Sequence, residues 1–215
     1  MAFNAPVLTL QLSAGVVAAV AASQSLGGAG NFTLNGSAVT AGVATLSPAR
    51  RVLFTFAADE TGHTFTIVGT DRYGRSQTDT VAGTTVSAYT AKDFLTVTRV
   101  ASSAATTGNV QIGTNAVGST APYIVDTFIN PANIGAAIEI TGTVTTGLEG
   151  SLTDLTPSWD LANNSPVWYS IAGFNPVSTL TQGTITGPFM MIRLTNTSGT
   201  GTAKARLVVP FLAGA

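Results

Sequence analysis

Threonine makes up 35 of the 215 residues, and this enrichment restricts the backbone more than any other feature of the sequence. Threonine and valine are stiff at χ1 and suit the pleated surface of a sheet. The strong helix formers Glu, Lys, Met and Gln are scarce. We therefore expect an all-β protein in which helix accounts for less than about a tenth of the chain, against about a third in an average domain.

Short strand patterns separated by turn residues recur along the first half of the chain. Residues 63–68 and 77–81 predict a hairpin around the polar loop Asp71–Arg75. Asn35-Gly36 predicts a second hairpin, since this pair takes the positive φ angles of a type I′ turn. In residues 93–101 strict alternation predicts one shared face, formed by Phe94, Thr96, Thr98 and Val100.

A small, polar and turn-rich stretch at residues 113–122 predicts a domain boundary. We expect an N-terminal β-domain with an extended N-terminal segment at 1–117 and a C-terminal β-sandwich at 118–215. About seven short strands in the second half are typical of an immunoglobulin-like or jelly-roll sandwich, and the sequence leaves both topologies open. The expected fold is thus all-β, with two antiparallel β-sandwich or jelly-roll-like domains.

Charge is scarce: nine Lys and Arg, ten Asp and Glu, one histidine and no cysteine. Catalytic and metal sites draw mostly on these residue types, so we predict no enzyme activity, no metal and no cofactor. The near-zero net charge also predicts that neither nucleic acid nor a membrane is a partner. A surface this poor in charge favours association with other protein chains, and a monomer solvated by hydroxyls and amides is the alternative.

Several segments resemble a pattern found in virion structural proteins of tailed bacteriophages. They are residues 21–25, 32–36, 49–52, 65–75, 80–83, 92–98, 185–188, 192–195 and 198–201. The resemblance implies a structural protein that decorates or stabilises the capsid or the head–tail junction. Its implied partners are copies of itself and other virion proteins of the capsid, portal or adaptor. Its implied location is the virion, after synthesis in the host cytoplasm.

Two regions are candidate protein contacts. The first consists of the apolar chain ends, represented by Phe3, Leu8, Phe211 and Leu212, which we expect to be held by neighbouring copies. Deleting residues 1–12 is then expected to leave the domains folded and to prevent incorporation into the particle. The second region is the loop 71–75.

The loop 71–75 contributes Arg72, Tyr73 and Arg75 as candidate contact residues. Its arginines, together with the pair Arg50-Arg51, are expected to form ion pairs with a neighbouring copy. The expected acidic partners in that copy are Asp59, Glu60 and Asp71.

Other residues leave alternative functions open. Trp159, Trp168 and Tyr169 form a possible sugar-stacking platform, which would make the chain a carbohydrate-binding adhesion module. The acids Glu139, Glu149, Asp154 and Asp160 lie close together in sequence, and a glycoside hydrolase needs two such carboxylates. Solvated loop positions explain these four acids better. The lone His63 is expected to be a hydrogen-bonded strand residue rather than a metal ligand.

Overall fold

The computed structural model describes residues 6–125, 133–153 and 166–208, and none of these lies in a helix. The described segments therefore include no helix that could span a membrane. All pairings between the described strands for which a direction is recorded are antiparallel, which confirms the expected all-β class. The strands are β1 Val7–Gln11, β2 Ala21–Gln24, β3 Gly30–Asn31, β4 Val39–Thr40, β5 Val43–Arg50, β6 Val52–Phe56, β7 Thr64–Thr70, β8 Ser76–Ala82, β9 Ser87–Tyr89, β10 Phe94–Ser102, β11 Val110–Thr114, β12 Gly118–Ser119, β13 Tyr123–Ile124, β14 Ile134–Thr141, β15 Val144–Ser151, β16 Tyr169–Ser170, β17 Thr181–Ile185, β18 Met191–Gly199 and β19 Thr202–Val208.

The chain divides after Ser13 and again after Gly118 into two compact units. The central unit is Ala14–Gly118, and the terminal unit is formed by the two ends of the chain, Met1–Ser13 and Ser119–Ala215. The second division lies close to the boundary predicted after residue 117. The N-terminal segment differs from expectation, because it belongs with the C-terminal half instead of the N-terminal domain.

The central unit is a sandwich of two sheets over one core. One sheet has the order β4-β5-β10-β7-β8, with β3 also paired to β10, and the other has the order β2-β11-β6-β9. The buried alternate residues of β6 include Phe54 and Phe56. They face Phe65 of β7 with ring centroids 5.3 and 5.2 Å apart, so aromatic packing joins the two sheets.

The predicted hairpin of β7 and β8 is confirmed, but β10 departs from simple alternation. Its buried apolar residues are Phe94, Val97 and Val100. The pairing of β10 shifts register between Phe94 and Thr96 on the β5 side and between Val97 and Arg99 on the β7 side. Each irregularity moves the following side chains to the other face, so the predicted shared face of β10 is wrong.

The turn predicted at Asn35-Gly36 is also wrong, and each of these residues has another structural use. The Asn35 side chain accepts a hydrogen bond from the Ala22 amide at 2.9 Å. Gly36 lies against the Ala19 backbone so closely that a Cβ atom would overlap the Ala19 carbonyl. The tight hairpin lies further on, at Ala41-Gly42, whose φ angles of 51° and 80° are those of a type I′ turn.

The terminal unit is a second sandwich. Its four-stranded sheet has the order β1-β19-β14-β17, and its other sheet has the order β12-β18-β15-β16 with β13 paired to β18. β1 pairs with β19 over five residues, and Leu10 and Leu12 are buried in the core of this unit. The N-terminal segment is therefore part of the terminal unit because its leucines complete that core.

Candidate functional site

The loop between β7 and β8 is held in shape by one carboxylate. Asp71 Oδ1 accepts hydrogen bonds from the amides of Tyr73, at 2.8 Å, and Arg75, at 2.9 Å. The Asp71 amide in turn donates to the Arg75 carbonyl at 2.8 Å. A loop whose backbone is ordered in this way presents its side chains at little further cost in conformational entropy.

Of the three predicted contact residues in this loop, Tyr73 and Arg75 are exposed. The Tyr73 ring is half exposed, and the Arg75 guanidinium lies 5.3 Å from its centroid, within cation–π range. Arg72 instead turns back into the fold, where its Nη2 donates to Asp93 at 3.0 Å. The outward surface of the loop is thus an aromatic ring next to an arginine.

Asp93 joins two of the arginines that the sequence analysis assigned to a neighbouring copy. Its two oxygens accept from Arg51 Nε and Arg72 Nη2, both at 3.0 Å, and its side chain is only 7% exposed. Arg51 also donates to the Thr90 carbonyl at 2.8 Å. Arg51 and Arg72 thus both bind a carboxylate of their own unit, and the expected ion pairs with a neighbouring copy stay a prediction.

Glu60, one of the expected partners in a neighbouring copy, is also used internally. Its side chain is fully buried and accepts from the Gly108 amide at 2.9 Å. Its second oxygen lies 2.7 Å from His63 Nδ1. His63 thus has the hydrogen-bonded role expected for it, although it lies just before β7 and not within the strand.

Of the four predicted contact residues at the chain ends, Leu8 is the one that the structure describes. Leu8 is half buried and packs against the core of the terminal unit. The expectation that residues 1–12 are dispensable for folding is wrong, because Leu10 and Leu12 belong to that core. Phe3, Phe211 and Leu212 lie outside the described residues.

The terminal unit carries a partly buried aromatic and ionic cluster on β15 and β18. The Arg193 guanidinium donates to Glu149 Oε2, with Nε at 2.8 Å and Nη2 at 2.6 Å. The Thr195 hydroxyl donates to the same oxygen at 3.1 Å. Arg193 also stacks over the Trp168 ring, 4.0 Å from its centroid. Of the predicted aromatic platform, Trp168 is therefore fixed by this stacking and Tyr169 is half exposed, while Trp159 lies outside the described residues.

The acids considered for hydrolysis are also in ion pairs where they are described. Glu139 accepts from Arg206 Nε at 2.8 Å, and this hydrogen bond and charge hold the pKa of Glu139 below its usual value. Glu149 binds Arg193, whereas Asp154 and Asp160 lie outside the described residues. Among the described residues, no three His, Cys, Asp or Glu side chains come together as a possible metal site.

One surface feature was missed by reading the sequence. An open depression of about 550 Å³ lies on the four-stranded sheet of the terminal unit. Its floor carries small residues of β14, and its walls come from the neighbouring strands β17 and β19. Its lining residues include Gly135, Ala137, Gln182, Thr184, Arg206 and Val208. The run Gly135-Ala136-Ala137 within a strand was the available signal, because a strand without large side chains leaves a depression in its sheet.

Comparisons with protein-family models, with curated proteins and with solved structures gave no match to this chain. The function must therefore be argued from the chain's own residues.

Proposed function

We propose that this chain is a non-enzymatic structural protein of a tailed bacteriophage virion, where it decorates or stabilises the capsid or the head–tail junction through protein–protein contacts. Its partners are further copies of itself and other virion proteins, and its location is the assembled particle. The proposal starts from the sequence resemblance to such proteins. It is supported by what the charged groups do in the fold.

The observation that carries the proposal is that several of the few ionised side chains are partly buried and paired within the fold. Arg51 and Arg72 bind Asp93, and Arg193 binds Glu149. Exposed strand positions carry hydroxyl groups, among them those of Thr9, Thr80 and Thr184. Such a surface suits protein contacts, in which charged residues are depleted at the centre and aromatic residues are enriched.

The loop 71–75 is the best-defined contact element for this role. Tyrosine and arginine are the residue types that dominate binding energy at protein interfaces. Tyr73 and Arg75 are presented together on a backbone that Asp71 already orders. A side chain that is ordered before binding loses less entropy on contact, so a small loop is sufficient as an anchor.

Purified virions provide the direct test. We expect peptides of this chain in density-purified particles at a constant ratio to the major capsid protein, and repeated density for it in particle images. The double variant Tyr73→Ser, Arg75→Ser should fold normally and show reduced occupancy in the particle. Thr80→Ser, an exposed position on β8, serves as the matched control. If the chain is abundant in the lysate and absent from purified particles, the proposal is rejected.

A carbohydrate-binding adhesion module is the second candidate, and one observation favours it. Stacking on Arg193 fixes the Trp168 ring next to the half-exposed Tyr169, and immobilised aromatic rings suit neutral sugars. Glycan-array binding that is lost in Trp168→Ala and retained in Tyr73→Ala would support this candidate. The absence of binding to any neutral glycan would remove it.

A further inference from the structure

Among the described residues, two edge strands of the terminal unit lack the covering side chains found on two edge strands of the central unit, β8 and β2. On β8, the Lys92 ammonium donates to the Thr78 carbonyl at 3.0 Å, which covers that edge with a charge. On β2, the Asn35 side chain accepts from the Ala22 amide. Lysines and covering side chains are common means of preventing edge-to-edge pairing. β1 and β17, the two edges of the four-stranded sheet, contain no charged residue and no proline.

The hydrogen bonds between β1 and β19 determine which backbone groups of β1 point to the open edge. The Leu207 amide donates to the Pro6 carbonyl at 3.0 Å, so this residue pair is hydrogen-bonded. In an antiparallel ladder the hydrogen-bonded pairs alternate with pairs that are not bonded. Val7, Thr9 and Gln11 therefore direct their amides and carbonyls away from β19, and all three are exposed.

The same alternation can be followed across the sheet to β17. Arg206 of β19 directs its groups toward β14, and its partner there is Ala137. The amide and carbonyl of Ala137 therefore point toward β19 and not toward β17, where Ala137 lies opposite Gln182. Gln182 and, two residues on, Thr184 thus direct their amides and carbonyls to the open edge, and both are exposed. Within the described chain, no side chain donates to or accepts from these backbone groups.

We infer that β17 of one copy pairs antiparallel with β1 of a second copy and so extends the four-stranded sheet across the contact. Because the sheet has an even number of antiparallel strands, its two edges run in opposite directions. The free backbone groups at both edges belong to residues whose side chains are exposed. Pairing these residues therefore aligns the solvent faces of the two sheets with each other, and likewise their core faces. One register places Thr9 opposite Gln182 and Val7 opposite Thr184.

This inference deepens the proposed function and rests on it for the presence of many copies at one place. Pairing β17 with β1 is a head-to-tail contact, since it leaves the β1 of one copy and the β17 of the other free. Such a contact forms a ring when the rotation closes and a filament when it does not. The main-chain hydrogen bonds supply affinity, as in other cases where a strand is added to a sheet edge.

Proline variants test the pairing without removing a ladder bond inside one copy. Thr9→Pro and Thr184→Pro each delete an amide that points to the open edge, a position that tolerates proline. In sedimentation velocity we expect the wild type to associate as concentration rises and each variant alone to remain monomeric. An equimolar mixture should form one-to-one dimers, because each variant retains the edge that the other lacks.

Thr9→Ala and Thr184→Ala keep the amides and should associate like the wild type. Any of the following results would overturn the inference: proline variants that associate like the wild type, a mixture that stays monomeric while the wild type associates, or a wild type that stays monomeric at every concentration. If Thr9→Pro loses association while Thr184→Pro associates like the wild type, the contact is a symmetric pairing of β1 with β1. That result would also reject the head-to-tail pairing.

Amide exchange on the wild type gives an independent test if a proline variant fails to fold. Exchange at Thr9, Gln182 and Thr184 should slow by about tenfold once nine-tenths of the copies are associated. The Thr78 amide, on the covered β8 edge, should not respond to concentration. Edge amides that exchange freely in a chain found in virions reject this inference alone. A chain that associates through these edges but is absent from virions rejects only the proposed function.

Discussion

At the scale of single residues, the absence of a side chain is as important as its presence. Gly69 of β7 lies opposite the irregular part of β10, where a Cβ atom would overlap the Thr96 carbonyl oxygen. The overlap is with backbone, so a rotamer change cannot relieve it. In contrast, nothing lies within 4 Å of the position where a Cβ of Gly28 would be.

We therefore expect Gly69→Ala to lower the free energy of unfolding of the central unit by about 3 kcal/mol, since the two strands must separate to admit the methyl group. Gly28→Ala is the matched control and should change stability by less than about 0.5 kcal/mol. Urea unfolding followed by far-ultraviolet circular dichroism measures the stability of both variants. Equal stability of the two variants would contradict the close approach of β7 and β10.

At the scale of elements, the turn between β4 and β5 has one residue that readily takes positive φ and one that does not. Both central residues of a type I′ turn need positive φ, which Gly42 adopts freely. Ala41 adopts a φ of 51°, and a residue with a Cβ atom is strained there. Asparagine is the preferred residue at this position because it tolerates the left-handed region.

Ala41→Asn should therefore stabilise the central unit by about 1 kcal/mol, as it replaces a strained alanine by the favoured Asn-Gly pair. Ala29→Asn is the control, because Ala29 lies in an exposed bend without positive φ. Thermal unfolding of the two variants provides the comparison. A lower midpoint for Ala41→Asn than for the wild type would show that the turn has another geometry.

At the scale of the whole molecule, chain order and structural unit do not coincide. The central unit is one continuous segment with its own core, Ala14–Gly118. The terminal unit takes strand β1 from before that segment and the remainder from after it. Leu10 and Leu12 of the N-terminal segment are core residues of the terminal unit, at 4% and 0% exposure.

A polypeptide of residues 14–118 should therefore fold cooperatively alone, because all sixteen buried residues of its core cluster lie within it. Residues 119–215 alone should be unfolded or far less stable, since they lack β1 and the two leucines, whose burial contributes about 1.5–3 kcal/mol each. Joining residues 1–13 to 119–215 through a flexible linker should restore folding. Dispersion of amide signals in the magnetic resonance spectrum distinguishes the outcomes, and a well-folded 119–215 fragment would refute the role of β1.

Much of the strand pattern could be predicted from local sequence, and much of the candidate site could not. The alternating aromatics of β6 and the hairpin of β7 and β8 depend on neighbouring residues, so their pattern is readable. The polar loop 71–75 was also predictable, because its turn residues are local, and the structure shows Tyr73 and Arg75 exposed on it. The ion pair of Arg72 with Asp93 could not be predicted, because the two residues are 21 positions apart and only the fold brings them together.

The sequence by itself determined the all-β class, the location of several strands and the approximate division near residue 118, because β-propensity and turn chemistry act over a few residues. Only the tertiary structure decided that the N-terminal strand completes the second sandwich, that β10 is irregular, and that Gly36 serves close packing instead of a turn. These features depend on backbone segments far apart in the chain, and a single sequence carries no local signal for which distant segment lies alongside. The open edges of β1 and β17 have the same origin, since which strands lie at an edge is a property of the assembled sheet.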